Sequence, residues 1–263
     1  MMDFDATRSF GGLDRLYGLG AADAIRRAHV VVVGIGGVGS WCAEALARSG
    51  VGRITLIDLD HVADSNINRQ IHALSTTVGL AKVLAMQERM ALINPHCVVT
   101  CIEEFVSPEN WPSLLGGGAL PDALIDACDQ VPAKLAMAQW AKTHHVPFVS
   151  VGAAGGKRMA HKVDVDDLSQ VTHDPLLAQL RYRLRKHHGA PRDGKKMGVC
   201  CVFSREAVAP PDPSCDLDGD GSLNCHGYGS VVTVTASFGL SAVSAILNFL
   251  ADAFLKAKNN AII

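Results

Sequence analysis

Short apolar runs alternate with helical patterns along the first half of the chain. Val30–Val33 is wholly apolar and stops at Gly34, as expected of a strand buried on both faces. Ser40–Ser49 is Ala-rich with helical spacing and closes at Gly50, and Arg53–Leu59 is the next β-rich run. Lys82–Ile93 again has helical spacing and stops at Asn94-Pro95. His96–Glu103, Ala123–Asp126 and Phe148–Val151 read as further strands, with a helix at Pro132–His144 between the last two. Strand and helix in alternation predict a Rossmann-like, doubly wound α/β fold, a mainly parallel sheet with helices on both faces.

After Gly156 the texture changes. Val163–Leu168 is short and acidic, Leu176–His188 is helical and basic, and Val199–Ser204 reads as a strand, so a smaller C-terminal α+β part is expected. Pro210–Tyr228, rich in Pro, Gly and Asp, reads as a loop. The division implied is a core at 1–156, a substrate region at 157–229 with a flexible loop at 208–228, and a segment at 230–263 that completes the core or a subunit interface. That last segment opens with Ser230–Ala251, an apolar stretch close to the length of a membrane span. Thr233, Thr235, Ser237, Ser241, Ser244 and Asn248 recur through it, and Val-Thr alternation at its start looks like a strand. The reading adopted is a buried strand followed by a helix; membrane contact is not expected, although hydropathy alone does not exclude it.

The chemistry concentrates between Gly34 and Lys82. Gly34, Gly36, Gly37 and Gly39 stand in GIGGVG, directly after a strand and at a helix start. A tight turn and close backbone approach there suit a phosphate on the helix N-terminus. Asp58 ends the next strand, where a carboxylate can hold a ribose hydroxyl. To that point NAD-dependent hydride transfer fits equally well. Asn66, Asn68 and Arg69 then follow, and Lys82 opens a helix. Dinucleotide enzymes have no general need for two cations there, whereas an enzyme splitting ATP between its α and β phosphates needs them to stabilise the leaving pyrophosphate. Solvated surface charge is the plain alternative for either cation alone, and it weakens when both accompany the glycines and Asp58. Asp129 follows a strand whose carboxyl end faces the same crevice, so it is the candidate to hold Mg²⁺ on a triphosphate. Asp126 is assigned to closing that strand by bonding nearby amides.

The chain has 263 residues, 48% apolar and 19% charged, with a net charge of −2, so it is globular and any attraction for nucleic acid or lipid must be local. Its 8 Cys include no CxxC pair, which argues against a zinc ribbon or a thioredoxin-type motif. No signal peptide is visible, and the expectation is a reducing cytoplasm with free thiols. Cys200, Cys201 and Cys225 are candidates to carry acyl or sulfur, set against the commoner role of free Cys as a small buried apolar residue. Arg181, Arg183, Arg185, Lys186, Arg192, Lys195 and Lys196 are opposed only by Asp193, a grouping that suits either RNA phosphates or a solvated helix face. Asp216–Asn224 imitates the start of a calcium loop, but Gly227 stands where the bidentate Glu belongs. Calcium is not expected there, and the adjacent pairs His144-His145 and His187-His188 point apart on a helix, so chelation is not expected either.

The set GxGGxG, an acidic strand end, Ser65-Asn66-Ile67-Asn68-Arg69-Gln70 and Lys82 resembles the ubiquitin-activating-enzyme superfamily of adenylating enzymes. Within it, FGGLDRLYG at 10–18, NINRQIHAL at 66–74, VGLAK at 78–82, GAAGG at 152–156 and CVFSREA at 201–207 resemble the tRNA threonylcarbamoyladenosine dehydratases, which cyclise a modified adenosine beside the anticodon. The resemblance implies ATP-dependent dehydration through an acyl-adenylate, with Arg69, Lys82 and Asp129 acting on the phosphates. It maps onto Arg15 the arginine that reaches the ATP of the neighbouring subunit in a homodimer. It also implies Mg²⁺ and a bound monovalent cation (K⁺ or Na⁺), and a tRNA held by Arg181, Arg185, Lys186, Lys195 and Lys196. A cysteine desulfurase and its sulfur-acceptor protein are implied as partners. Sulfur-carrier activators of the superfamily typically carry two CxxC pairs, and this chain has none. Three alternatives stay open: an activator of a ubiquitin-like sulfur carrier, an NAD-dependent oxidoreductase, and a module that senses nucleotide without turnover.

Overall fold

The computed structural model describes residues 4–212, 214 and 228–260. Helices α1 (Ala6–Tyr17) and α2 (Leu19–Arg27) lead into β1 (His29–Val33), followed by α3 (Gly39–Arg48) and β2 (Arg53–Ile57). Next come α4 (Lys82–Ala91), β3 (Val98–Ile102), β4 (Ala123–Asp126), α5 (Val131–His144) and β5 (Phe148–Val151). The chain continues through β6 (Val163–Asp167), α6 (Pro175–His187), β7 (Cys200–Ser204) and a long α7 (Val232–Asn260). Among the described residues, seven strands form one sheet in the order β3-β2-β1-β4-β5-β7-β6. Every pairing is parallel except β6 with β7.

The unbroken Val run of β1 is explained by its two faces. Val30 and Val32 join a core under α2, α3, α4 and α7, whereas Val31 and Val33 join the core under α5 and α6. A strand buried on both sides has no polar face to alternate with. The region after Gly156 extends the same sheet, with β7 paired in parallel beside β5 and β6 at the antiparallel edge. Its acidic residues are tolerated because an edge strand keeps one side in water. Helices α1 and α2 were not foreseen. Asp5 caps α1 by accepting the Arg8 amide at 3.1 Å, and Phe10, Ala21, Ala22 and Ile25 supply the buried side of the pair.

The expected strand at the start of 230–263 is corrected: Val232–Asn260 is a single helix. Val234, Phe238, Ala242, Ile246 and Leu250 are buried at helical spacing against α2, α3 and the sheet. The hydroxyls that suggested β structure are satisfied within the helix, Ser237 donating to the Thr233 carbonyl at 2.7 Å and Thr235 to that of Val232 at 3.3 Å. Four residues of Val-Thr alternation are outweighed by a long stripe of core contacts. The helix is long and apolar enough to cross a membrane, and 44% of its most apolar window is buried in the fold. Cys215, Cys225, the calcium-like run and most of the loop expected at 208–228 lie outside the described residues.

Candidate functional site

In a doubly wound sheet the ligand crevice opens at the carboxyl ends of the strands where their order reverses. Here that point lies between β1 and β4. Val33 is paired with Ile57 on one side and Asp126 on the other, so Asp58 and Ala127 flank Gly34. A cleft of about 610 Å³ occupies this position. Gly34, Gly36 and Gly37 line it, with Asp58, Asn66, Arg69, Lys82 and Asp129. Gly39 does not. A Cβ at Gly39 would stand 1.7 Å from the Gly34 carbonyl oxygen, so this glycine permits the turn to fold onto the helix and does not itself meet the ligand. Gly34 adopts φ 84°, which a side chain would strain.

Asp58 is buried and its carboxylate ties two backbone segments together, accepting the Ile35 amide at 2.6 Å and the Asp60 amide at 2.8 Å. Burial pushes this carboxyl above its ordinary value, with Lys82 and the two amides pulling it back. Lys82 donates to Asp60 at 2.6 Å from a nearly buried side chain, whereas Asp60 is half exposed. Asp60 also lines the cleft and had not been singled out in the sequence, although it sits two residues past Asp58.

Arg69 is held from three directions. Its Nη1 donates to the Ser65 carbonyl at 2.6 Å and to Asn68 Oδ1 at 2.9 Å. Its own carbonyl accepts Trp41 Nε1 at 3.0 Å and the Thr235 hydroxyl at 3.3 Å. Its Nε is buried without a partner, as is Gln70 Oε1 beside it. Asn68 stands outside the cleft lining. Its amide reaches the Ser230 carbonyl at 2.9 Å, tying the loop to the start of α7, which explains why a residue so near Arg69 does not face the ligand. Asn66 does line the cleft while its Oδ1 accepts the Ala63 amide at 3.2 Å.

Asp129 is exposed at the mouth, where it accepts Gln130 Nε2 at 3.2 Å. Asp126 closes β4 by accepting the Cys128 amide at 3.3 Å. It also does more: it is fully buried with Lys134 Nζ at 3.0 Å and the Ser150 hydroxyl at 2.7 Å. Lys134 also donates to the Val151 carbonyl at 2.7 Å. Burial alone would discharge this lysine, but the Asp126 carboxylate raises its pKa above the ordinary range. The buried pair braces the floor of the cleft between β4 and β5. Helical spacing contained the clue, since Lys134 falls on the same face as Val131, Ala138 and Ala141, all buried.

The remaining candidates sit apart from this centre. Arg15 is exposed in the last turn of α1, away from the cleft of its own chain. Cys201 is fully buried in β7, and burial holds its thiol well above the ordinary pKa, the inert apolar role. Cys200 is partly buried and pushed up to about 11. Arg181 Nη1 donates to the Leu168 and Val171 carbonyls at 3.0 and 2.7 Å, and Arg185 Nε to the Pro191 carbonyl at 3.2 Å. Both arginines therefore bind the fold's own backbone. Lys186, Lys195 and Lys196 are exposed. Among the described residues no group of three or more His, Cys, Asp or Glu side chains could hold a metal ion.

A family model described as the ThiF family matches residues 12–262. The chain is similar to the tRNA threonylcarbamoyladenosine dehydratase of Escherichia coli (strain K12), 46% identical over 250 residues, 91% of this chain and 92% of that protein. It is also similar to the protein so named in Haemophilus influenzae, at 41% identity over 95% of this chain and 94% of that one. A crystal structure of E. coli tRNA N6-threonylcarbamoyladenosine dehydratase in complex with ATP superposes with a TM-score of 0.85 at 43% identity, covering 97% of this chain and 99% of that chain. With nearly its whole length matched and its glycine turn, Arg69 and Lys82 gathered at one cleft, the chain belongs to the ThiF family.

Proposed function

We propose that the chain is an ATP-dependent enzyme that dehydrates threonylcarbamoyladenosine in tRNA. The observation that carries this reading is the cleft itself, where Gly36, Gly37, Lys82 and the unpartnered Nε of Arg69 converge at the switch point. An unpaired buried donor is costly unless a ligand acceptor meets it, and a phosphate oxygen does so. Near-full-length likeness to dehydratases at 46% and 41% identity selects the substrate. The reaction converts a carboxylate, a poor electrophile, into an acyl-adenylate with release of pyrophosphate. The neighbouring carbamoyl group then closes a ring and AMP leaves. Ring closure is intramolecular, so proximity replaces much of the catalytic machinery and no thiol is needed.

In this scheme Asp58 holds the ribose, the turn amides and Arg69 hold phosphates, and Lys82 stabilises charge as it develops on the leaving group. Arg69 and Lys82 face four lining carboxylates, Asp58, Asp60, Glu104 and Asp129, so a triphosphate needs further positive charge. Two sources fit: Mg²⁺, which Asp129 would hold and which would offset phosphate charge, and Arg15 from a second copy of the chain in a homodimer. The basic face beyond the cleft serves the tRNA, and a cytoplasmic setting accords with that substrate. The monovalent cation and the sulfur-transfer partners implied by the resemblance belong to this proposal as accessory features. Activation of a ubiquitin-like sulfur carrier is the second reading. The deciding experiment compares AMP release from ATP with modified tRNA, unmodified tRNA and a ubiquitin-like protein in parallel. Release with modified tRNA alone is expected, and release with the ubiquitin-like protein alone would overturn the reading.

A further inference from the structure

Helix α6 leads outward from the cleft. Leu176, in its first turn, lines the cleft, while Leu177, Leu180 and Leu184 are buried beneath it. Its opposite stripe is exposed: Gln179, Tyr182 and Lys186, spaced to fall on one face. Tyr182 is 61% exposed, a large aromatic side chain kept in water. Lys186 Nζ lies 5.7 Å from its ring centroid. Arg192, Lys195 and Lys196 are exposed on the loop that follows. From Leu176 the helix carries Tyr182 about 9 Å and Lys186 about 15 Å away along its axis.

The root of this arm is fixed to the cleft wall. Asp174, buried, caps α6 by accepting the Leu177 amide at 3.0 Å, and its other oxygen accepts the Ala153 amide at 2.9 Å. Ala153 lines the cleft. Gly152 leaves room for this joint, since a Cβ there would stand 2.0 Å from Asp174 Oδ2. Lys157 pins the preceding turn by donating to the His173 carbonyl at 3.1 Å. The outer stripe is thereby held in fixed register with the cleft.

We infer that this stripe binds single-stranded RNA, with a base stacked on Tyr182 and the adjoining phosphates on Lys186, Lys195 and Lys196. The inference deepens the proposed function and rests on it, because it assigns the part of the tRNA that lies next to the reacting nucleotide. An exposed aromatic ring among cations fits an unpaired base, whose π-face needs no sequence match. It also replaces the earlier assignment of Arg181 and Arg185, whose guanidinium groups are engaged by backbone carbonyls.

The test measures binding of modified tRNA, and AMP release with it, across a salt series for the full chain and for Tyr182→Ala, Tyr182→Phe and Lys186→Ala. Tyr182→Ala weakens tRNA binding about tenfold at every salt concentration, with an unchanged salt slope, ATP KM and melting temperature, while Tyr182→Phe stays near wild type. Lys186→Ala makes the slope of log K against log salt shallower by about 0.7–0.9. Tyr182→Ala binding tRNA within about twofold of a wild-type chain that turns it over would sink the stacking role and leave the proposed function intact. A wild-type chain that neither binds nor turns over any tRNA overturns both. Loss of response to a ubiquitin-like protein in Tyr182→Ala, with RNA affinity intact, assigns the stripe to a protein and overturns the inference.

Discussion

Arg69 in the cleft and Arg181 on α6 looked alike in the sequence, each a cation in a chemically suggestive neighbourhood. The fold treats them differently. Arg69 gives Nη1 to the Ser65 carbonyl and to Asn68 but keeps Nε buried and unpartnered beside the glycine turn. Arg181 gives its guanidinium to two carbonyls of the segment before α6. A cation's meaning depends on which of its donors the fold leaves without an acceptor, and spacing along the chain does not report that. The cleft is a preorganised interior, whereas the arm is a surface whose Lys186, Arg192, Lys195 and Lys196 stand exposed.

The floor of the cleft tests that contrast most severely. Lys134→Met leaves Asp126 buried without its counter-charge and should cost about 3–5 kcal/mol in denaturant unfolding. The double variant with Asp126→Asn should recover part of that loss, and a loss no greater than that of an exposed lysine on the arm would erase the distinction. Arg69→Ala and Lys82→Ala come next, each lowering the rate of AMP formation roughly 10²–10³-fold with tRNA affinity retained. A parallel loss of tRNA binding would merge the two regions.

His72 gives the third test. It is 1% exposed with neither ring nitrogen partnered, and burial first, then Lys82 and Arg89, lower its pKa from 6.5 to about 4. The unfolded chain therefore takes up this proton before the folded one. Stability from the neutral ring is complete above pH 6.5 and is lost as pH falls toward 4, by on the order of 3 kcal/mol. Thermal melts of wild type and His72→Gln over that window should converge on the acid side; parallel curves would refute the assignment. The smallest effect belongs to the arm. Replacing both Lys195 and Lys196 with Ala should make the salt dependence of tRNA binding shallower by roughly 1.4–1.8 in log–log slope. Arg181→Ala should instead lower the melting temperature and leave the slope unchanged.

The central strands were legible because a parallel strand covered on both faces is a near-continuous apolar run, as in Val30–Val33 and the Ala-Leu-Ile that precedes Asp126. The edge strand β6 gave no such signal, since its Asp164, Asp166 and Asp167 look like loop residues until their pairing with β7 is known. Helix α1 was hidden by Gly11 and Gly12, poor helix formers held in place by the Asp5 cap and by packing on α2. In the site, Gly34, Gly36, Gly37, Asp58, Arg69 and Lys82 could be read from spacing because the chain supplies them in order from adjacent strand ends. Lys134 escaped because its acceptors are split between the end of β4 and β5, and Asp174 because the Ala153 amide it accepts lies 21 residues back; only the assembled sheet brings these groups together.

The grip of Thr235 on the Arg69 carbonyl has a consequence for how the protein comes into being. Residue 235 is made 166 positions after residue 69, so a nascent polypeptide carries its glycine turn, Asp58 and Lys82 long before the helix that seats the arginine has emerged. Competence for phosphate chemistry thus waits on α7, well after the strand ends that carry the phosphate-facing groups have been made.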